Sequence, residues 1–178
     1  MSNYLDTLLV SPKRIKESGL LNVNVDDGEI SASIRTAQSI YLADVVGEDL
    51  IQRLQELVYN KITDGTDKIN SEANIAYATF LYDYLTDAIV FKTIIDLCMR
   101  LSFKVRNMGV VQNEDDNVKQ ATTGDNLKFQ SYLETMYNQH LNRIADFLCK
   151  NKAAIPESKF DCKCHPTRKY ANVNIWLG

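Results

Sequence analysis

The sequence predicts an all-α fold: a helical bundle with one long central helix, an inserted acidic loop or hairpin, and an extended C-terminal arm. Three observations carry this expectation. Only 7 Gly and 3 Pro among 178 residues leave too few turn formers for an all-β sandwich. Apolar residues recur at spacings of three and four through 71–107 and again through 125–151. Beyond Pro156 the helical period gives way to a period of two. With 45% hydrophobic and 24% charged residues, the chain has the balance of an ordinary globular domain large enough to hold its own core.

The first element is a short helix at Ser11-Pro12-Lys-Arg-Ile-Lys-Glu-Ser-Gly19. Ser11 suits the N-cap, Pro12 the first helical position and Gly19 the left-handed end. An extended link, 20–25, follows, so residues 1–27 read as a leading segment before a core spanning 28–156. Asp26, Asp27 and Glu29 favour a helix start, and Ile30, Ile34, Ala37, Tyr41 and Val45 share one face. Gly47 interrupts, and a third helix over 48–59 carries Leu50, Ile51, Leu54, Leu57 and Val58 inward. A polar break at Thr63-Asp64-Gly65-Thr66 ends this pair.

The segment 71–107 keeps helical period through Tyr77, Phe80, Leu81, Tyr84, Leu85, Ala88, Phe91, Ile94, Ile95, Cys98 and Leu101. A rod of this length, about 50 Å, exceeds an average helix several-fold, so a kink or break within it is expected. Ile89, Leu97 and Met99 widen the stripe, which suits a helix buried on more than one side. Residues 109–124 form the acidic insertion, a loop or small hairpin. The final helix, 125–151, repeats Leu127, Phe129, Tyr132, Leu133, Met136, Tyr137, His140, Leu141, Ile144, Ala145 and Leu148. The arm, 157–178, then alternates Val173, Ile175 and Leu177 with Asn172, Asn174 and Trp176, as a strand would.

No catalytic signature accompanies this architecture. The chain lacks G-x-G-x-x-G, the P-loop, H-E-x-x-H and G-x-S-x-G, and contains 2 His, so an enzyme is not expected. Adjacent acids at Asp26-Asp27 and Asp115-Asp116 read as capping or solvated groups. No apolar run reaches the roughly 18–20 residues of a membrane span, and the N-terminus lacks the basic and apolar regions of a signal peptide. Reduced thiols are therefore expected, with Cys98 and Cys149 as small buried hydrophobes on helices. Cys162, Cys164 and His165 are zinc-type donors, but their spacing is tighter than C-x₂₋₄-C and no second pair follows. Cys149 would complete them only if the chain folded back. Neither a metal nor a cofactor is expected.

Charge is more informative. The net charge of −3 argues against a dedicated nucleic-acid binder. Over 109–126, Glu114, Asp115, Asp116 and Asp125 outweigh Lys119; over 159–178, Lys159, Lys163, Arg168 and Lys169 outweigh Asp161. One reading is a solvated loop and a solvated tail. The other is that the two meet on neighbouring copies and set register between them. The candidate interface residues are then Glu114, Asp115 and Asp116 in the loop. Those of the arm are Lys163, Arg168, Lys169, Tyr170, Val173, Ile175, Trp176 and Leu177.

The stretch Ile34 to Ile51, with Ala37-Gln38, Leu42, Gly47 and Leu50, resembles the opening of head-to-tail connector (adaptor) proteins of tailed bacteriophages, nearest to the crAss-like Bacteroidetes phage type. Ser102 to Gln112 is similar to the strand-like exit that follows the long helix in those proteins. The 132–151 helix with Ile155-Pro156-Glu157 also fits, so the likeness covers most of 28–178. It implies a structural virion protein at the head–tail junction, assembled in the host cytoplasm. Its copies, commonly twelve, form a homo-oligomeric ring between the portal protein and neighbouring tail or ring proteins. DNA passes through such a ring without specific binding, and no membrane is involved. The alternative is a small helical nucleic-acid-binding or regulatory module, for which Lys92, Arg100, Lys104 and Arg106 offer the basic residues. The Cys162, Cys164 and His165 cluster departs from the resemblance and takes no role from it.

Overall fold

The computed structural model describes residues 3–21, 24–65, 67–106, 109–112, 123–160 and 162. The fold is all-α apart from one short hairpin. Helix α1 spans Pro12–Lys16, α2 Asp27–Thr36, α3 Ala43–Val46, α4 Glu48–Asp64, α5 Ile75–Thr79, α6 Thr86–Ser102 and α7 Thr123–Lys150. Strands β1 (Phe103–Arg106) and β2 (Gly109–Gln112) pair antiparallel, with Phe103 opposite Gln112 and Arg106 opposite Gly109. The long helix therefore stops at Ser102 rather than Asn107. Phe103, Val105, Val110 and Val111 belong to strands, where β-branched and aromatic residues are favoured.

The local signals at helix starts act as expected. Ser11 Oγ accepts the Arg14 N–H at 3.3 Å, and an Asp26 carboxylate oxygen accepts Gly28 N–H at 2.8 Å and Glu29 N–H at 3.3 Å. Gly19 at φ 73° and Gly65 at φ 64° take the left-handed conformation after α1 and α4.

Two π-helical turns decide which residues face inward. The first, Ala37–Leu42, joins α2 to α3, and the second, Phe80–Leu85, joins α5 to α6. A π turn inserts an extra residue and rotates everything beyond it. The buried series consequently runs Ile30, Ile34 and Ala37, then Leu42 and Val46. Tyr41, expected on the core face, is instead 41% exposed, and Val45 is only half-buried. In the second turn the Leu81 carbonyl accepts both the Thr86 N–H and the Thr86 hydroxyl, the latter at 2.8 Å. This is the irregularity that so long a helix led one to expect.

The core is a bundle in which α6 and α7 run antiparallel. Phe80 and Tyr84 meet Phe147, Phe91 meets His140, and Met99 meets Gln130, so partners descend on one helix as they ascend on the other. Leu81, Leu85, Leu133 and Leu141 are all buried. So are Ile89 and Leu97, which makes the central helix buried on a broad face.

Residues of the leading segment before 28 contribute to this core. Leu9, Val10 and Ile15 are buried in it. Two buried glutamines hold the N-terminal strap: Gln38 accepts the Leu9 N–H at 3.1 Å and donates to the Thr7 carbonyl at 2.9 Å. Gln55 donates to the Leu5 and Thr7 carbonyls at 2.8 and 3.1 Å. The two amides thus bond backbone groups of the strap far away in sequence, and both converge on the Thr7 carbonyl.

Candidate functional site

The chain reverses after α7. α7 ends at Lys150, turns follow over 151–154, and Ile155 beyond them is fully buried. The Tyr77 hydroxyl on α5 then donates to Glu157 Oε2 at 2.6 Å. Burial and the adjacent carboxylate together push the Tyr77 phenol up to about 12, so it stays a donor throughout the physiological range. Lys159 donates its backbone N–H to the Val46 carbonyl at 3.3 Å and places Nζ 3.3 Å from Asp49. Phe160 packs against the core. The first residues assigned to the arm, 157–160, are thus docked on the bundle, and any free arm starts after them.

Gly47 lies under this docked segment. At φ 104° it adopts a backbone conformation that side-chain-bearing residues rarely take, and a Cβ there would stand 3.1 Å from the Lys159 nitrogen. An open cleft of about 730 Å³ lies beside it, lined by Ile40, Tyr41, Asp44, Gly47, Glu48 and Lys159. Ile40 and Tyr41 face it because of the π turn.

Folding back also brings Cys162 to Cys149, and the two form a disulfide with Cα atoms 5.4 Å apart. Cys149 is therefore not the solitary buried thiol that its helical position suggests. Cys98 on α6 is half-buried, and burial pushes its thiol pKa up, which lowers its reactivity.

At the opposite end of the α6–α7 pair, beside the hairpin, apolar side chains face outward. Met99 is 54% exposed, Leu127 61%, Phe129 38% and Tyr132 49%. Gln130 Nε2 lies 3.9 Å from Met99 Sδ, which joins the two helices' contributions. Leu127, Phe129 and Tyr132 were expected on the core stripe. Periodicity continues through α7's first turns, but the long helix has already ended at Ser102, which limits what can cover them. The polar stretch just before Leu127 is the signal that could have shown this.

Other polar side chains of α6 and α7 make contacts within the chain. Lys92 sits over the Tyr41 ring at 3.7 Å and near Tyr137 at 5.3 Å, and desolvation lowers its pKa. His140 stacks on Phe91 at 5.3 Å, its buried Nδ1 without a hydrogen-bond partner among the described residues; burial pulls its pKa down, with Asp87 opposing and Arg143 adding to the effect. Arg100 pairs with Asp96 and donates to Thr36 Oγ1 at 3.0 Å. Of the four basic residues offered for a nucleic-acid face, Lys92 is half-buried against aromatic rings, whereas Arg100 stays exposed with its contacts at the surface.

Glu114, Asp115 and Asp116 lie outside the described residues, as do Lys163, Arg168, Lys169, Tyr170, Val173, Ile175, Trp176 and Leu177. Cys164 and His165 do as well. Among the described residues no three His, Cys, Asp or Glu side chains gather as metal ligands, and no helix is long and apolar enough to cross a membrane.

Residues 42–168 match the model of a family of unknown function, DUF6712. The chain belongs to the DUF6712 family. The DUF6712 span runs from the end of the first π turn to the stretch after Cys162, and so includes Gly47, the α6–α7 pair, the hairpin and the docked return. It leaves the apolar end of the arm, 170–178, outside. No curated protein and no solved structure matches the chain.

Proposed function

We propose that this DUF6712 protein is a structural component of a tailed-phage virion, a ring-forming connector between portal and tail that works by binding other proteins. The observation that carries this reading is the exposed apolar group at the hairpin end, Met99, Leu127, Phe129 and Tyr132. A lone domain gains nothing by presenting such side chains to water, whereas neighbours in an assembly cover them. The acidic residues 114–116 adjoin this end in sequence, and the basic arm supplies complementary charge on a neighbouring copy. Lys92, half-buried over the Tyr41 ring, is poorly presented for phosphate contact, which weighs against the nucleic-acid-binding alternative. Quantitative proteomics of purified virions tests the proposal. A fixed copy number relative to the portal protein is expected, with the chain located at the head–tail junction by electron microscopy. Its absence from particles, together with salt-sensitive DNA binding by the purified chain, would overturn the reading in favour of the alternative.

A further inference from the structure

We propose that the open cleft beside Gly47 is a receptor for the C-terminal arm of a second copy of this chain, taking the stretch Arg168-Lys169-Tyr170. The cleft itself is built from described residues. Its apolar wall is Ile40 and Tyr41, both exposed and both within the π turn over Ala37–Leu42. A second hollow of about 200 Å³ shares Ser39, Ala43 and Glu48 with the first and carries the groove on to the exposed Leu5. The joined groove runs over α3 and the first turns of α4. Glu48 to Gln55 alone gives it about 10 Å, the length of about three residues of extended chain.

Electrostatics select what fits. Asp44 and Glu48 line the cleft, both are exposed, and no ion pair among the described residues takes up either carboxylate. Glu48 accepts a hydrogen bond from Gln52 Nε2 at 2.9 Å, and that neutral amide leaves its charge uncompensated. Lys159, the cation of the lining, already pairs with Asp49 at 3.3 Å. The Tyr41 ring is steadied by Lys92, whose Nζ lies 3.7 Å over it. An apolar wall beside two uncompensated carboxylates fits a short segment in which basic and large apolar side chains adjoin.

The sequence supplies such a segment. Residues 163–178 lie outside the described residues; their sequence carries Lys163, Arg168 and Lys169 and no Asp or Glu. Arg168 and Lys169 match Asp44 and Glu48 in number and opposite sign, and Tyr170 adjoins them as an anchor for the Ile40 and Tyr41 wall. The last described residue is Cys162, three beyond Lys159 in the cleft wall. The remaining 163–178, about 50 Å when extended, has the length to reach a neighbour. Seating on a second copy rests on the connector reading, in which arms join neighbouring subunits.

The experiment uses the full chain with Arg168→Glu and Lys169→Glu as receptor, so that its own arm does not compete, and a fluorescent peptide of residues 165–178 as probe. Anisotropy should show saturable binding that weakens with salt. The peptide carrying Arg168→Glu and Lys169→Glu should bind about tenfold more weakly, a result that leaves the receptor untouched. Asp44→Lys with Glu48→Lys, in an otherwise wild-type chain, should reverse this preference and accept the charge-reversed peptide. In a mixture of light and heavy-isotope wild-type chains, carbodiimide should cross-link Lys169 to Asp44 or Glu48 between isotopes. Absence of saturable binding, equal binding of the two peptides, binding lost on Glu114→Gln with Asp115→Asn and Asp116→Asn, or Lys169 cross-links confined to one isotope would each overturn the proposal. The peptide assay needs no virion, so its failure leaves the connector reading to be decided by the particle proteomics.

Discussion

Replacing Gly47 with Ala tests how the return segment is held. Two effects add at this position. The φ of 104° is a conformation that costs a side-chain-bearing residue about 1–3 kcal/mol. The new Cβ would also stand 3.1 Å from the Lys159 nitrogen and 3.2 Å from its Cβ and Cγ. Relieving those contacts pushes Lys159 away from the Val46 carbonyl, and the lost hydrogen bond is worth about 0.5–1.5 kcal/mol. The expected loss is therefore about 2–4 kcal/mol, or roughly 10 °C in Tm for a domain of this size. Gly65→Ala is the control, since its φ of 64° is also left-handed but nothing lies within 4 Å of the added Cβ. That substitution should cost only about 1–2 kcal/mol, the conformational part alone. Urea denaturation of both variants gives the comparison, and hydrogen exchange at Lys159 should accelerate in Gly47→Ala only. If Gly47→Ala is no more destabilised than Gly65→Ala, the return segment does not pack on Gly47 as described.

Further outcomes follow from the same packing. Leu81→Ala, Leu85→Ala, Leu133→Ala and Leu141→Ala should each cost about 2–5 kcal/mol in denaturant melts, because all four side chains are buried between the helices; a cost below about 1 kcal/mol would contradict that placement. His140 has a folded pKa below its ordinary value of 6.5, so the unfolded chain binds the proton more readily. Its influence is absent above about pH 6.5; stability then falls as pH drops towards the folded pKa and levels off below it. His140→Gln should flatten the pH–stability profile just below the ordinary histidine value of 6.5, and an unchanged slope there would refute the assignment. Deleting residues 170–178 should leave circular dichroism and Tm unchanged while blocking incorporation into particles; normal assembly of the truncated protein would show that the arm is dispensable.

Much of this molecule follows from sequence because the signals concerned are local. Ser11, Pro12 and Asp26 start their helices through side-chain and φ preferences that need no tertiary partner. Leu81, Leu85, Leu133 and Leu141 recur at a period that only a two-helix interface satisfies, so the antiparallel α6–α7 pair was legible as well. Other features depend on what lies across the fold. A π turn leaves no mark in an apolar period of three and four, yet the one over Ala37–Leu42 turned Tyr41 outward and brought Leu42 and Val46 inward. The strap before residue 28 joined the core through Gln38 and Gln55, whose amides bond two strap carbonyls and the Leu9 N–H, all distant in sequence. The exposed Leu127, Phe129 and Tyr132 carry the pattern of buried residues, yet the described residues leave them uncovered. The sequence by itself determined the helices and the face each would bury while its phase held. Tertiary structure alone decided where that phase slipped and that Cys149 and Cys162 would meet, because such meetings depend on contacts between segments that no local spacing encodes.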